Sequence, residues 1–355
     1  MRPSIVVWLF MSGLLLKPVA LLAHEAQTSF ENGVRAFSDG QYATAVTSLS
    51  QAIHSYPRYA QAHYMLGNTY YQQHEYDKAR RAFEQAIDSY PGYAEAHYML
   101  GATHYQQQHW QAAELAVRQA ITLYPRYEEA YDLLGSLAER QEAFPKAIEA
   151  YQQLVQLAPG NVDAQLRLGL VLEKAERLDE AKKTYTQLLR QQPQHVETLL
   201  RLGLLAERQK QPQEALTAYQ AILAVQPGNV ETQYRLAVLY DTLGEMPQAM
   251  ATYQRVLDLQ PTHADASLYL GILQAQAGED AAAEHSYKQA LMSQPGLSEA
   301  EYRLALLYKK QQQLSAAMEL LQHVVERLPT YAEAHYNLGV VYVGLKQYRQ
   351  AVKAF

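Results

Sequence analysis

Apolar and polar positions alternate along the chain in blocks that fit amphipathic helices. In residues 94–127, "AEAHYMLGATHYQQQHWQAAELAVRQAITLYPRY", apolar and aromatic residues recur three or four positions apart on both sides of a short polar break, "QQQH". This spacing places apolar side chains on one face of a helix. The segment therefore predicts two helices of about 13 residues each, roughly 20 Å long, joined by a tight turn.

The same pattern returns with a period of 34 residues. Nine prolines share this spacing: Pro57, Pro91, Pro125, Pro159, Pro193, Pro227, Pro261, Pro295 and Pro329. A glycine column comprises Gly33, Gly67, Gly101, Gly135, Gly169, Gly203, Gly271 and Gly339, with Ala237 and Ala305 as substitutes. An alanine column runs without exception from Ala45 to Ala351, and a bulky column runs from Leu49 to Phe355. A period of this length is typical of repeat architectures.

Small and helix-breaking residues indicate how the two helices of a period meet. Gly101 on the first helix and Ala113 on the second would let the two backbones approach closely. Pro125 ends the second helix, because proline lacks an N–H and disfavours the α conformation in its predecessor. Three further prolines, Pro145, Pro212 and Pro247, fall where second helices should begin, a position that accepts proline. Each period therefore predicts one packed helix pair.

These columns resemble a known family. A Leu-Gly pair, a tyrosine three residues later in several units, alanine twelve, an aromatic residue sixteen and proline twenty-four residues after the glycine resemble the tetratricopeptide repeat. The resemblance implies an all-α fold, a right-handed α-solenoid superhelix of tandem antiparallel helix pairs whose first helices line a concave groove. The chain departs from the family in the column four residues before the glycine, where a tryptophan-like residue is replaced by His63, His97, Tyr131, Gln165 and Leu199.

The period predicts the boundaries of the units. Full units are expected at 26–59, 60–93, 94–127, 128–161, 162–195, 196–229, 230–263, 264–297 and 298–331, followed by a partial unit at 332–355. The sequence ends on "AVKAF", partway through a second helix, whereas repeat arrays need a polar cap. Three explanations stay open: a truncated gene model, an artificial boundary, or self-association or a covering partner at this end. Truncation of a longer protein is favoured.

Residues 1–23 resemble a secretory signal peptide. Arg2 precedes an apolar stretch from Ile5 to Leu16, and Ala23 supplies a small residue for cleavage. Leu21 occupies a place where a small residue is preferred, so an uncleaved N-terminal anchor is the alternative. The sequence thus predicts an exported protein, periplasmic or secreted, or one held at the inner membrane by this segment alone.

Composition and missing motifs exclude several classes of function. Hydrophobic residues make up 48% and charged residues 19%, with a net charge of −6, so the chain should fold and has no basic excess for nucleic acid. The absence of cysteine excludes disulfides and thiolate zinc sites. There is no HExxH, phosphate loop or GxSxG, and His104 and His109 are predicted not to share a helix face. We expect no enzyme activity, no metal and no cofactor.

The first helices carry the candidate binding residues. One column runs Phe30, Tyr64, Tyr98, Asp132, Leu166, Leu200, Tyr234, Leu268, Tyr302 and Tyr336, and a second lies two turns further on the same face. The predicted partner-binding groove comprises Tyr64, Asn68, Tyr71, Tyr98, Tyr105, Leu166, Arg167, Leu170, Leu200, Arg201, Leu204, Arg235 and Arg303. Its leucines form an exposed apolar ribbon if they face solvent, and are core if they pack between units.

The arginines of this groove have two interpretations. Each follows an acid by four residues, namely Asp163, Glu197, Glu231 and Glu299. The simpler interpretation is a pair within one helix, and the sharper one is a ladder of guanidinium groups for carboxylates of a bound peptide. The family's lysine-based clamp for C-terminal carboxylates is not expected, because Tyr64 and Tyr98 occupy the lysine places.

Two functions follow from this sequence. The favoured one is a non-catalytic scaffold that binds peptide or protein partners in its groove, in a bacterial cell-envelope assembly. The alternative is a targeting or regulatory arm of a larger enzyme, for example one resembling a glycosyltransferase, that continues beyond residue 355.

Overall fold

The computed structural model of the chain describes residues 19–355, with side chains from residue 24. The predicted signal peptide at residues 1–23 lies outside this part, except that the backbone of residues 19–23 forms the first turn of α1. The described residues form twenty helices joined by short turns, without a strand. The all-α prediction is confirmed.

The helices alternate between first and second members of each pair. The first members are α1 (Val19–Ser38), α3 (Ala60–Gln72), α5 (Ala94–Gln106), α7 (Glu128–Arg140), α9 (Val162–Lys174), α11 (Val196–Arg208), α13 (Val230–Thr242), α15 (Ala264–Gln276), α17 (Ser298–Lys310) and α19 (Ala332–Gly344). The second members are α2 (Tyr42–Ser55), α4 (Tyr76–Ser89), α6 (Trp110–Leu123), α8 (Phe144–Leu157), α10 (Leu178–Gln191), α12 (Pro212–Val225), α14 (Met246–Leu259), α16 (Asp280–Ser293), α18 (Leu314–Arg327) and α20 (Tyr348–Ala354).

The two-helix prediction for residues 94–127 is confirmed. Helices α5 and α6 have 13 and 14 residues and are separated by the predicted polar break. Pro125 lies two residues beyond the end of α6 at Leu123. Pro145, Pro212 and Pro247 stand in the first turns of α8, α12 and α14, as expected for a residue that has no N–H to donate.

The chain divides into two compact units inside α10. The first unit ends at Thr184, and the second comprises Tyr185–Phe355. Within each unit, consecutive helices pack on each other, and the first helices of adjacent pairs also touch, as α5 and α7 do in the first unit and α15 and α17 in the second. Packing between sequence neighbours is the pattern expected of a helical solenoid.

Each turn inside a helix pair contains one residue with a left-handed backbone. Positive φ occurs at Gly40, His74, Gln108, Glu142, Glu176, Lys210, Gly244, Gly278, Gln312 and Lys346, which follow one another at the repeat spacing. At His74 and Gln108, for example, φ is 59° and 61°. A left-handed residue reverses the chain in little space, so it fixes how the second helix returns along the first.

The glycine column makes room for the bulky column. A methyl group added at Gly101 would lie 2.5 Å from a methyl carbon of Val117 and 3.2 Å from the carbonyl oxygen of Ala113. The predicted close approach of Gly101 and Ala113 is therefore confirmed, although the nearest neighbour is the side chain sixteen residues after the glycine. Gly67 receives the ring of Phe83 and Gly135 that of Tyr151 in the same way. The rings themselves are fully buried.

Between residues 19 and 355, no helix combines the length and the apolar character that a bilayer crossing requires.

Candidate functional site

Tyrosines of the first helices pack at a tilt against the tyrosine that precedes the next first helix. The rings of Tyr64 and Tyr93 have centroids 4.9 Å apart, and those of Tyr98 and Tyr127 are 5.0 Å apart. Tyr64 and Tyr98 are half-buried. Burial, with smaller contributions from nearby acids, raises the pKa of Tyr98 to about 12. These two predicted groove residues thus join adjacent repeats and still present part of each ring to solvent.

The second predicted tyrosine pair lies at the ends of first helices. Tyr71 packs edge-on against Tyr76 at 5.5 Å, and Tyr105 packs in the same way against Trp110 at 5.4 Å. Their hydroxyl oxygens accept hydrogen bonds from the next repeat, Tyr71 from Gln106 Nε2 and Tyr105 from Arg140 Nε, both at 3.3 Å. Asn68, on the same helix as Tyr71, is half-buried.

A cleft of about 520 Å³ in the first unit brings three predicted residues together. Tyr98, Tyr105 and Arg167 line it, with Asp132 and Ser136 from α7. Arg167 lies 3.5 Å from the Asp132 carboxylate and donates to Ser136 Oγ at 3.2 Å. The predicted pair with Asp163 is wrong, because α7 presents both of these acceptors to Arg167. Burial raises the pKa of Asp132, which Arg167 opposes.

The other three arginines form the simpler pair within one helix. Arg201 contacts Glu197 at 4.0 Å, Arg235 contacts Glu231 at 2.8 Å and Arg303 contacts Glu299 at 2.7 Å. Their side chains are 34–40% exposed, so each pair contributes at most about 1 kcal/mol. A bound carboxylate would have to compete with an acid already in place at each of these positions.

The groove leucines are neither fully exposed nor fully buried. Leu166, Leu170, Leu200 and Leu204 are half-buried. In later repeats the same column contains two buried residues, Leu268 at 4% and Tyr302 at 7% exposure, whereas Tyr336 is 61% exposed. The core interpretation therefore holds for those two, and an apolar ribbon is limited to the half-buried positions.

A second cleft, of about 700 Å³, opens in the second unit. It is lined by residues of α11, α13, α14 and α15, among them Glu207, Tyr234, Arg235, Asp241, Tyr253 and Tyr269. The rings of Tyr253 and Tyr269 are stacked at 6.0 Å with 16° between their planes, and Tyr234 lies 6.0 Å from Tyr253. Of these residues only Arg235 is in the predicted groove.

The sequence does contain signals for the residues that the prediction missed. Tyr234 and Asp241 stand in the two columns of the first-helix face, and both keep part of their surface exposed. Tyr253 belongs to the bulky column and looks from the sequence like a core residue. Its ring is indeed fully buried, but its edge also lines the cleft.

His104 and His109 lie closer to each other than the sequence suggests. The rings of His104 and His109 have centroids 5.9 Å apart, because the turn between α5 and α6 brings them together. They share no helix face, as predicted, because His104 lies on α5 and His109 precedes α6. Burial lowers the pKa of His104, and His109 adds to this shift. The part of the chain with described side chains has no group of three or more residues suited to hold a metal ion.

Comparisons with known proteins agree on one architecture. Family models described as tetratricopeptide repeat match residues 30–94, 64–128, 98–162, 133–195 and 166–230, and a second such model matches 206–265 and 308–355. These ranges cover most of the chain. No curated protein matches the sequence.

Solved structures are similar in fold. The C-terminal part of a repeat-containing protein from Cytophaga hutchinsonii superposes with a TM-score of 0.60 at 17% identity, over 67% of this chain and 97% of that one. A structure of Naa15/Naa10 bound to HypK-THB superposes with a TM-score of 0.54 at 14% identity, over 93% of this chain and 62% of that one. Identities this low show a shared fold alone.

Proposed function

Because the chain belongs to the tetratricopeptide repeat family, we propose that it is a non-catalytic scaffold that binds peptide or protein partners on the surface of its first helices. One observation carries the proposal. Each compact unit has a cleft at first-helix residues, lined by tyrosine rings and charged side chains. Clefts of this composition suit side chains of an extended peptide, since the rings supply contact area and the charges supply orientation.

Burial supports the same surface. Tyr64, Tyr71, Tyr98 and Tyr105 could have been covered entirely by the next repeat, yet each keeps part of its surface exposed. Rigid aromatic side chains that are already held by packing lose little conformational freedom when a partner arrives. The tyrosines on the first helices of the first unit are thus already ordered before a partner binds.

Site-specific photo-crosslinking tests the proposal. A benzoylphenylalanine at Leu166, half-buried on α9, should form covalent adducts with partners in a cell-envelope extract of the source organism. The matched control is the same residue at Leu115, which is 75% exposed on the second helix α6. Adducts at position 166 with few at 115 are expected, as measured by gel shift and mass spectrometry. Equal labelling at both positions would contradict a dedicated first-helix surface.

We propose further that this scaffold works in a bacterial cell-envelope assembly. The support is the N-terminal sequence, where a basic start, an apolar stretch and Ala23 fit an export signal. Cleavage after Ala23 should give a mature chain that begins at His24. Mass spectrometry of the N-terminal peptide from the exported protein measures this directly, and an intact Met1 would instead favour the uncleaved anchor.

A further inference from the structure

The cleft of the second unit contains polar groups that lack partners. Tyr253 is 0% exposed, and its hydroxyl has no hydrogen-bond partner among the described residues. A phenol buried this deeply normally finds a partner, since an unsatisfied group costs about 1–3 kcal/mol. The side chain of Asp241, half-buried on the same wall, forms no hydrogen bond or ion pair with any described residue. Burial raises the pKa of this carboxyl.

An earlier repeat has the complete version of this arrangement. Three periods before Asp241, Tyr253 and Gln276 stand Glu139, Tyr151 and Lys174. Tyr151 donates its hydroxyl proton to Glu139 Oε1 at 2.7 Å, and Lys174 Nζ lies 2.7 Å from Glu139 Oε2. The carboxylate there is satisfied by one tyrosine hydroxyl and one ammonium group.

In the later repeat, the Asp241 carboxylate lacks both the tyrosine hydroxyl and the ammonium group as partners. Asp241 is one methylene shorter than the glutamate of the earlier repeat, and the Tyr253 hydroxyl has no hydrogen-bond partner among the described residues. Gln276 replaces the lysine, so no ammonium comes from the following first helix.

We propose that this cleft binds a cationic side chain, lysine or arginine, of a bound peptide, with the charged group against the Asp241 carboxylate, as Lys174 lies against Glu139 in the earlier repeat. The proposal rests on the proposed scaffold function and names the chemistry of its partner. Tyr234 and Tyr269 also line the cleft, and Val238, 38% exposed, offers apolar surface to the stem of the cationic side chain.

The charges of the cleft favour a cation over an anion. Three acids line it, Glu207, Glu231 and Asp241, against Lys210 and Arg235. Arg235 already contacts two of these acids, Glu231 at 2.8 Å and Glu207 at 3.7 Å. The Nε of Arg235 has no partner among the described residues, but the guanidinium already contacts two acids, and an incoming carboxylate would also meet the Asp241 carboxylate. The ladder of arginines for peptide carboxylates is not favoured at this position.

Binding of defined peptides to the full chain tests the proposal. The probes are fluorescein-labelled glycine-serine peptides that carry lysine, arginine, norleucine or glutamate at the same positions, followed by fluorescence anisotropy. Lysine and arginine peptides should bind, and Asp241→Asn should weaken their binding about tenfold, the loss of one charge-assisted hydrogen bond. The matched control, Asp258→Asn on α14, removes the same charge from an exposed position outside the cleft and should change little.

A second variant keeps the Asp241 carboxylate and supplies the cation from the chain itself. Gln276→Lys restores the lysine of the earlier repeat, which should occupy Asp241 and weaken peptide binding about tenfold without loss of helicity. Equal effects of Asp241→Asn and Asp258→Asn, or equal binding of glutamate peptides, would overturn the cationic assignment. If norleucine peptides bind and Asp241→Asn changes nothing, the scaffold function stands and only the cation site is wrong. Absence of adducts at Leu166 in the crosslinking experiment would instead remove the scaffold function.

Discussion

Replacement of Phe83 by alanine is expected to lower the free energy of unfolding of its repeat by about 4 kcal/mol. The Phe83 ring is 0% exposed, fills the space beside Gly67 and lies 5.9 Å from the ring of Tyr64. Its removal would leave a cavity at the centre of a helix pair, which the surrounding helices can close only in part. Urea denaturation followed by circular dichroism, with amide exchange across α3 to α5, measures the loss.

The control is an apolar residue that the fold does not bury. Leu115 on α6 is 75% exposed, so Leu115→Ala should change the free energy of unfolding by less than about 0.5 kcal/mol. Similar losses at Phe83 and Leu115 would contradict the assignment of the bulky column to the core.

Replacement of Gly101 by leucine should cost about 3 kcal/mol through overpacking. The nearest obstacles include the Ala113 carbonyl oxygen at 3.2 Å and the Val117 backbone nitrogen at 3.3 Å, which cannot turn aside as a side-chain tip can. Helices α5 and α6 would have to separate. The midpoint of thermal unfolding, compared between the Gly101→Leu variant and the parent, measures this cost.

Two comparisons keep the Gly101 result interpretable. Gly160→Leu introduces the same side chain where nothing lies within 4 Å, so its stability should match that of the parent. Gly101→Ala should be milder than leucine, since Ala237 and Ala305 already occupy this column elsewhere in the chain. A leucine at position 101 that unfolds no earlier than one at 160 would refute close packing of this pair.

Periodic features of the sequence predict the architecture because one local solution is used repeatedly. The prolines, glycines and alanines at 34-residue spacing each have a steric role within a single helix pair, and the structure confirms it at Gly101, Ala113 and Pro125. An exception in one column does not change the predicted architecture, because the other columns keep the same spacing along the rest of the chain. The family resemblance adds the antiparallel order of the helices.

Contacts between residues of different helices do not follow from the spacing of residues along one helix. The partner of Arg167 is Asp132, 35 residues earlier, whereas sequence spacing favoured Asp163 within the same helix. The rings of His104 and His109 meet across a turn, a contact that periodicity within one helix does not predict. The hydroxyl of Tyr253 has no partner among the described residues, whereas that of Tyr151 in the same column donates to Glu139, and the sequence column does not reveal this difference.

The left-handed turns affect which substitutions the chain can tolerate during evolution. Seven of these positions, from His74 to Lys346, hold residues other than glycine, although such residues disfavour this backbone by roughly 1–2 kcal/mol. Glycine at any of them would relieve that strain without touching a first-helix side chain. The stability gained from such a glycine would offset a destabilising change in the binding surface, and the array would stay folded.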